Sequence, residues 1–159
     1  MQIRLFNRLG TALAALLLVP MLFSACSSPP QDDSEAITAN IHAMADAVRE
    51  RNARQVNRHI SDDFGLSLSE RDMTREDTRR MMTGIFMRHQ NINVVLTNIQ
   101  VEMDPGSSRR AIARFNALVT GGSGGILPST AQLYRVESDW ELTDGDWLLV
   151  GGRARRAME

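Results

Sequence analysis

The chain is 159 residues long, with one cysteine, 18 basic and 19 acidic side chains and a formal net charge of −1. A lone cysteine excludes an internal disulfide framework, and a balance with no basic surplus makes nucleic acid a poor partner. Every basic residue is arginine, which reads as a coding bias, although arginine offers oxyanions the bidentate contacts that lysine cannot.

The chain opens with a positive segment carrying Arg4 and Arg8, an apolar run from about Leu9 to Leu22, and the small residues Ser24 and Ala25 ahead of Cys26. That three-part layout is an export signal, residues 1–25. The apolar run is about 14 residues and broken by Pro20, whereas a spanning helix needs roughly 20. The stretch Leu22-Phe23-Ser24-Ala25-Cys26 resembles the lipobox of bacterial lipoproteins, with Phe23 where that family usually carries leucine. The resemblance implies a diacylglyceryl group on the Cys26 sulfur, cleavage between Ala25 and Cys26, and a membrane anchor of two or three acyl chains. Durable attachment follows from about 0.8 kcal/mol per buried methylene. Acylation also removes a partnerless thiol from an oxidising compartment. Ser27 in place of aspartate implies, by the Gram-negative sorting pattern it resembles, an outer-membrane lipoprotein of the cell envelope facing the periplasm. Plain secretion and an uncleaved anchor are the alternatives.

Loss of the signal removes Arg4 and Arg8 and no acid, taking the formal charge to −3 and leaving one domain's worth of chain. Residues 26–33 comprise the lipidated cysteine and a polar tether with adjacent prolines at Pro29 and Pro30. Extended at roughly 3.1 Å per residue, the tether would hold the domain, residues 34–157, about 20 Å from the lipid surface.

From Ser34 to about Arg51, Ile37, Ile41, Met44, Ala45 and Val48 recur at helical spacing. Asn52 interrupts the pattern; Ala53 to Ile60 continues as a short helix with Val56 and Ile60 inward, and Ser61-Asp62-Asp63-Phe64-Gly65 is expected to end it, with Phe64 plugging the core. A short extended piece at Leu66 to Leu68 follows. Thr74 with Asp77 resembles a capping box, and Met81, Met82, Ile85 and Phe86 form an apolar stripe to about His89. Beyond it the period changes to two. Ile92, Val94 and Leu96 alternate, then the phase moves to Ile99, Val101 and Met103, so a bulge is expected near Thr97 or Asn98. Asp104-Pro105-Gly106-Ser107 is a turn; Ala111, Ala113, Phe115, Ala117 and Val119 line one face of the next strand. Gly121 to Gly125 reads as a hairpin connection, Ala131 to Leu142 as a strand, Thr143 to Asp146 as a turn, and Trp147 to about Arg155 as the last strand. Three helices followed by an antiparallel meander predict an α+β fold.

These features resemble the nuclear-transport-factor-2-like (NTF2-like) superfamily, which includes the SnoaL-like polyketide cyclases and the ketosteroid isomerases. The resemblance rests on the helical pair ending in Asp63-Phe64, the helix from Thr74, and the run Tyr134-Arg135-Val136, Trp140-Glu141-Leu142, Asp144-Gly145 and Trp147-Leu148-Leu149. It implies a cone in which about three N-terminal helices pack on a strongly curved antiparallel sheet, with a pocket between them. The same cone serves enzymes, binders and pairing modules, so the site must decide.

An isomerase-like reaction needs a carboxylate base and hydrogen-bond donors at the developing oxyanion. The single tyrosine, Tyr134, falls on a strand and not on the first helix, so the catalytic set of those isomerases does not transfer, and no catalytic residues are assigned. Asp62, Asp63, Asp139 and Glu141 read as solvated or arginine-paired acids. His42, His59 and His89 lack ligand-like spacing, so neither a metal nor another cofactor is expected. The glycine run lacks the Lys-Ser or Lys-Thr of a phosphate loop. Arg71, Arg75, Arg79 and Arg80, interleaved with Glu70, Asp72, Glu76 and Asp77, read as a mixed solvated face, and Arg153, Arg155 and Arg156 as a basic tail. The expected pocket lining is Met82, Phe86, Phe115, Tyr134 and Trp140, large residues from opposite layers. The sequence therefore points to an anchored, non-catalytic binder of a small apolar molecule or a partner protein. The alternatives are a cyclase- or isomerase-type enzyme and a homodimerisation module using the sheet, with Ile112 and Leu118 outward. An open cavity without ionisable groups would favour the binder, a buried acid the enzyme, and a filled cone the pairing module.

Overall fold

The structure is a computed structural model that describes residues 33–68, 71–122 and 130–157. The export signal, the Ala25–Cys26 cleavage site, the tether before Asp33 and the glycine run beyond Gly122 lie outside the described residues.

Helix α1 (Asp33–Arg49) buries Ile37, Ile41, Ala45 and Ala47, the stripe that its spacing requires. The indole of Trp147 donates to the Asp33 carboxylate at 3.0 Å, and the Asn40 amide donates to the Trp147 carbonyl at 2.9 Å. These bonds tie α1 to the last strand. At its other end, Arg49 Nε donates to the Val94 carbonyl at 3.0 Å. Arg51 then adopts φ 56°, and the Asn52 and Arg51 amides reach back to Ala47 and Val48, closing the helix as a Schellman turn with arginine at the position that favours glycine. Asn52 caps helix α2 (Ala53–Arg58) by accepting from the Gln55 amide at 3.1 Å.

Ser61-Asp62-Asp63-Phe64-Gly65 does not merely end a helix; it is the body of strand β1 (Ile60–Leu68), which pairs with strand β2 (Arg71–Thr74) before α3 begins. Two aspartates and a glycine are poor strand formers, so their sequence hides a strand that pairing imposes. Helix α3 (Arg75–Arg88) starts at Thr74 through the expected capping box with Asp77. It packs on β1, β2 and α2, and Thr78 is its one buried residue.

Strands β3 (Asn91–Met103), β4 (Arg110–Gly122), β5 (Thr130–Thr143) and β6 (Asp146–Arg156) complete an open six-stranded sheet in the order β2-β1-β6-β5-β4-β3. The meander is antiparallel, but β1 joins β6 in parallel, so the sheet is not antiparallel throughout. The expected bulge lies between Thr97 and Gln100, with Asn98 at φ 55°, and it keeps Val94, Leu96, Ile99 and Val101 on the helix-facing side. A second register shift, at Asp139/Trp140 against Gly151/Leu149, leaves Val150 as an extra residue in β6. β1 leaves and rejoins β6 between Ile60 and Gly65.

The core forms two clusters. One gathers Ile37, Ile41, Ala111, Ala113, Trp140 and Trp147. The other gathers Ala47, Val56, Ile60 and Phe64, confirming Phe64 as an inward plug. Met44 and Leu149 pack against both clusters.

Candidate functional site

Helix α1 packs chiefly on β3, and α3 packs on the β1–β2 edge. The middle of the sheet is therefore left as a floor between two helical supports. A cavity of about 270 Å³ opens there, bounded by Ile41 and Trp140 from the first cluster and by Val56 and Phe64 from the second. Its floor is Phe115, Ala117 and Val119 of β4 with Val136, Ser138 and Trp140 of β5. Alternation puts all six on one face, and the small Ala117 leaves the space that a larger residue would fill.

The inward polar side chain on that floor is Ser138, and its hydroxyl proton is already used. It donates to the Ala113 carbonyl at 3.1 Å and accepts from the Trp140 indole at 3.0 Å. Glu137 and Arg153 border the cavity through their backbones' positions in the sheet, but their side chains meet each other on the opposite face at 2.9 Å. Arg114 also donates to Glu137, at 2.9 Å. The Arg114 hydrogen bond, followed by the charge of Arg153, holds the Glu137 carboxyl below the usual range. That acid is thus ionised, paired and aimed away from the cavity. Among the described residues, the cavity wall offers neither a carboxylate to remove a proton nor a donor free to meet an oxyanion.

Of the expected lining residues, Phe115 and Trp140 do meet at the cavity. Met82, Phe86 and Tyr134 are not in its wall. Met82 packs under Phe64 and Val56 from α3, because that helix covers the sheet's edge and not its middle. Phe86 lies one turn further along the same half-buried stripe. Tyr134 shares a face with Val136 but stands one repeat beyond the wall, opposite Ala117 and Arg156. Their places are taken by Met44, Val48, Leu66, Val94, Leu96 and Leu149. The alternation of Val94 with Leu96 and the helical spacing of Met44 with Val48 carried that signal, but not which gap they would line.

The other candidates scatter. Asp62 is an exposed acid ion-paired with Arg75, and Asp63 is exposed beside it. Asp139 sits on the outer face against Gly151, whose Cβ position lies 3.2 Å from Asp139 Oδ2. Glu141 shares that face of β5 by alternation. The His59 imidazole is half-buried, and burial, followed by the charge of Arg58, lowers its pKa below 6.5 against a smaller upward pull from Asp146. His42 and His89 stand on separate helices' ends and faces, and the described residues hold no cluster of three metal-ligating groups. On α3, Arg79 and Arg80 both pair with Glu76, first Arg79 pulling that exposed carboxyl down to about 2, as a mixed solvated face requires.

No family model and no curated protein matches this sequence. Solved structures do. The chain resembles a provisionally named scytalone dehydratase from Novosphingobium aromaticivorans, at 16% identity over 77% of this chain and 83% of that one, with a TM-score of 0.70. It resembles an NTF2-like protein from Cytophaga hutchinsonii, at 15% identity over 79% and 98%, with a TM-score of 0.65. A hexachlorocyclohexane dehydrochlorinase from Novosphingobium barchaimii is similar at 15% identity over 77% and 84%, with a TM-score of 0.64. At such identities the likeness establishes shape: the domain has the NTF2-like α+β fold.

Proposed function

We propose that this protein is an envelope lipoprotein whose NTF2-like domain binds a small apolar molecule without transforming it. The observation that carries the reading is the wall of the cavity, whose inward side chains are hydrocarbon and aromatic apart from Ser138, a hydroxyl already bonded to Ala113 and Trp140. A polar ligand would lose its water here and gain nothing in exchange, whereas an apolar one gains about 25 cal/mol for each Å² removed from water. Two of the similar structures are named for elimination chemistry, a dehydratase and a dehydrochlorinase. Such chemistry needs a base at the substrate carbon, and among the described residues the one acid bordering the cavity, Glu137, is paired with Arg114 and Arg153.

The anchoring half of the reading rests on the lipobox-like segment ending at Cys26. Mass spectrometry of the protein purified from its native membrane tests both halves together. The expected spectrum shows a mature chain beginning at an acylated Cys26 and a co-purifying apolar compound released on unfolding. Cys26→Ser is expected to move the domain to the soluble fraction, and firm membrane attachment of that variant would overturn the acyl anchor. Detection of a chemically altered compound after incubation with the pure protein would overturn the non-catalytic reading.

A further inference from the structure

The outer face of the same sheet holds a second concavity of about 560 Å³, over the middle of β4 and β5 and the end of β6, beside the β3 bulge. Five arginines line it: Arg114, Arg135, Arg153, Arg155 and Arg156. Two of them are spent, since Arg114 bridges Glu102 at 2.7 Å and Glu137 at 2.9 Å while Arg153 shares Glu137. Arg135 and Arg155 are different. They are register partners on adjacent strands, directly opposite each other, both exposed, and among the described residues no carboxylate or carbonyl accepts from either. Like charges placed face to face on a sheet destabilise it, and among the described residues no acid pairs with either to offset that cost.

The surroundings suit an oxyanion. Asn116 is the cross-strand neighbour of Arg135, and Asn98 and Gln100 reach the same concavity from β3. Asn98 does so from a left-handed backbone conformation at the bulge, a device that re-aims a side chain. Two planar guanidinium forks flanked by neutral amide donors match the geometry of phosphoryl oxygens better than a diffuse basic surface would. The chain's net charge of −1 makes this concentration of uncompensated cations local and not a property of the whole surface. We propose that the outer concavity around Arg135 and Arg155 is a binding site for a phosphate-bearing anion, on the face of the sheet opposite the apolar cavity. The shared chemistry is a multiply charged phosphoryl group, carried either by a small soluble phosphate or by an anionic lipid headgroup.

The test uses the full chain with Cys26→Ser, so that no acyl group contributes. One arm titrates inorganic pyrophosphate by calorimetry. The other measures flotation with phosphatidylglycerol vesicles against phosphatidylcholine vesicles. The expected result is binding in at least one arm, weakening with salt and falling about tenfold or more in Arg135→Ala/Arg155→Ala. Pyrophosphate binding without vesicle preference identifies a soluble ligand; vesicle preference without pyrophosphate binding identifies a headgroup. The double variant should keep or raise the thermal midpoint, because it removes a repulsion, which shows that lost binding is not lost folding. Arg54→Ala, on an exposed turn of α2, should change neither arm. Absence of binding in both arms, or equal binding by the double variant, would overturn the proposal.

Discussion

The two faces of strands β4 and β5 are written in the same residues, one after the other, and have opposite chemistry. Inward stand Ala113, Phe115, Ala117, Val136, Ser138 and Trp140, which enclose apolar space; outward stand Arg114, Asn116, Arg135 and Glu137, which enclose charge. A period of two lets neighbouring residues serve sites on opposite faces, with Phe115, Val136, Glu137 and Arg153 bordering both. The inner face gains its stability from burial, whereas the outer face spends some of it on an unpaired cation pair. If the two faces differ in this way, substitutions only one residue apart should differ severalfold in their effect on folding.

The largest loss is expected for Trp140→Ala. Trp140 is 2% exposed and touches the first cluster and the cavity alike, so its removal should cost about 3–5 kcal/mol in a chemical unfolding experiment. Ser138→Ala comes next, at about 1–3 kcal/mol, because it strands the buried Trp140 indole N–H without an acceptor. Glu137→Gln, next to Ser138 in sequence but on the other face, should cost at most about 1 kcal/mol and lose even that difference in high salt. A cost for Glu137→Gln as large as that for Ser138→Ala would break the contrast between the faces. The smallest effect belongs to His59, near the seam between β1 and β6. Its folded-state pKa lies below the unfolded value of 6.5, so the unfolded chain takes up the proton first and stability falls as pH drops below about 6.5. His59→Gln should flatten the slope of thermal midpoint against pH in that window.

Much of this architecture was legible in the sequence wherever local chemistry and tertiary packing agreed. The capping box at Thr74 and Asp77, the phase change that demanded a bulge near Asn98, and the alternation of β4 each follow from short-range rules, and all three stand in the structure. The misreadings fall where long-range pairing overrides local preference. β1 contains Asp62, Asp63 and Gly65, and only its pairing with β2 and β6 makes it a strand. The apolar stripe of α3 was correctly located, yet which gap it would border depends on the helix settling over the β1–β2 edge, so Met82 and Phe86 lie off the cavity while Met87 is 80% exposed. Likewise, Arg153 and Arg155 read as a basic tail because Arg114 and Arg135 are remote in sequence and meet them only through strand register.

The most direct test of the inner cavity is a methyl NMR titration of the protein with naphthalene. Binding should shift the methyl signals of Ile41, Val48, Val94, Val119, Val136 and Leu149, which line the cavity, and leave Val95 and Leu118 of the outer face unmoved. Ala117→Phe, which fills the floor, should abolish those shifts while the domain remains folded. Unperturbed cavity methyls at saturating naphthalene, or shifts that survive in Ala117→Phe, would contradict an apolar binding site on the inner face.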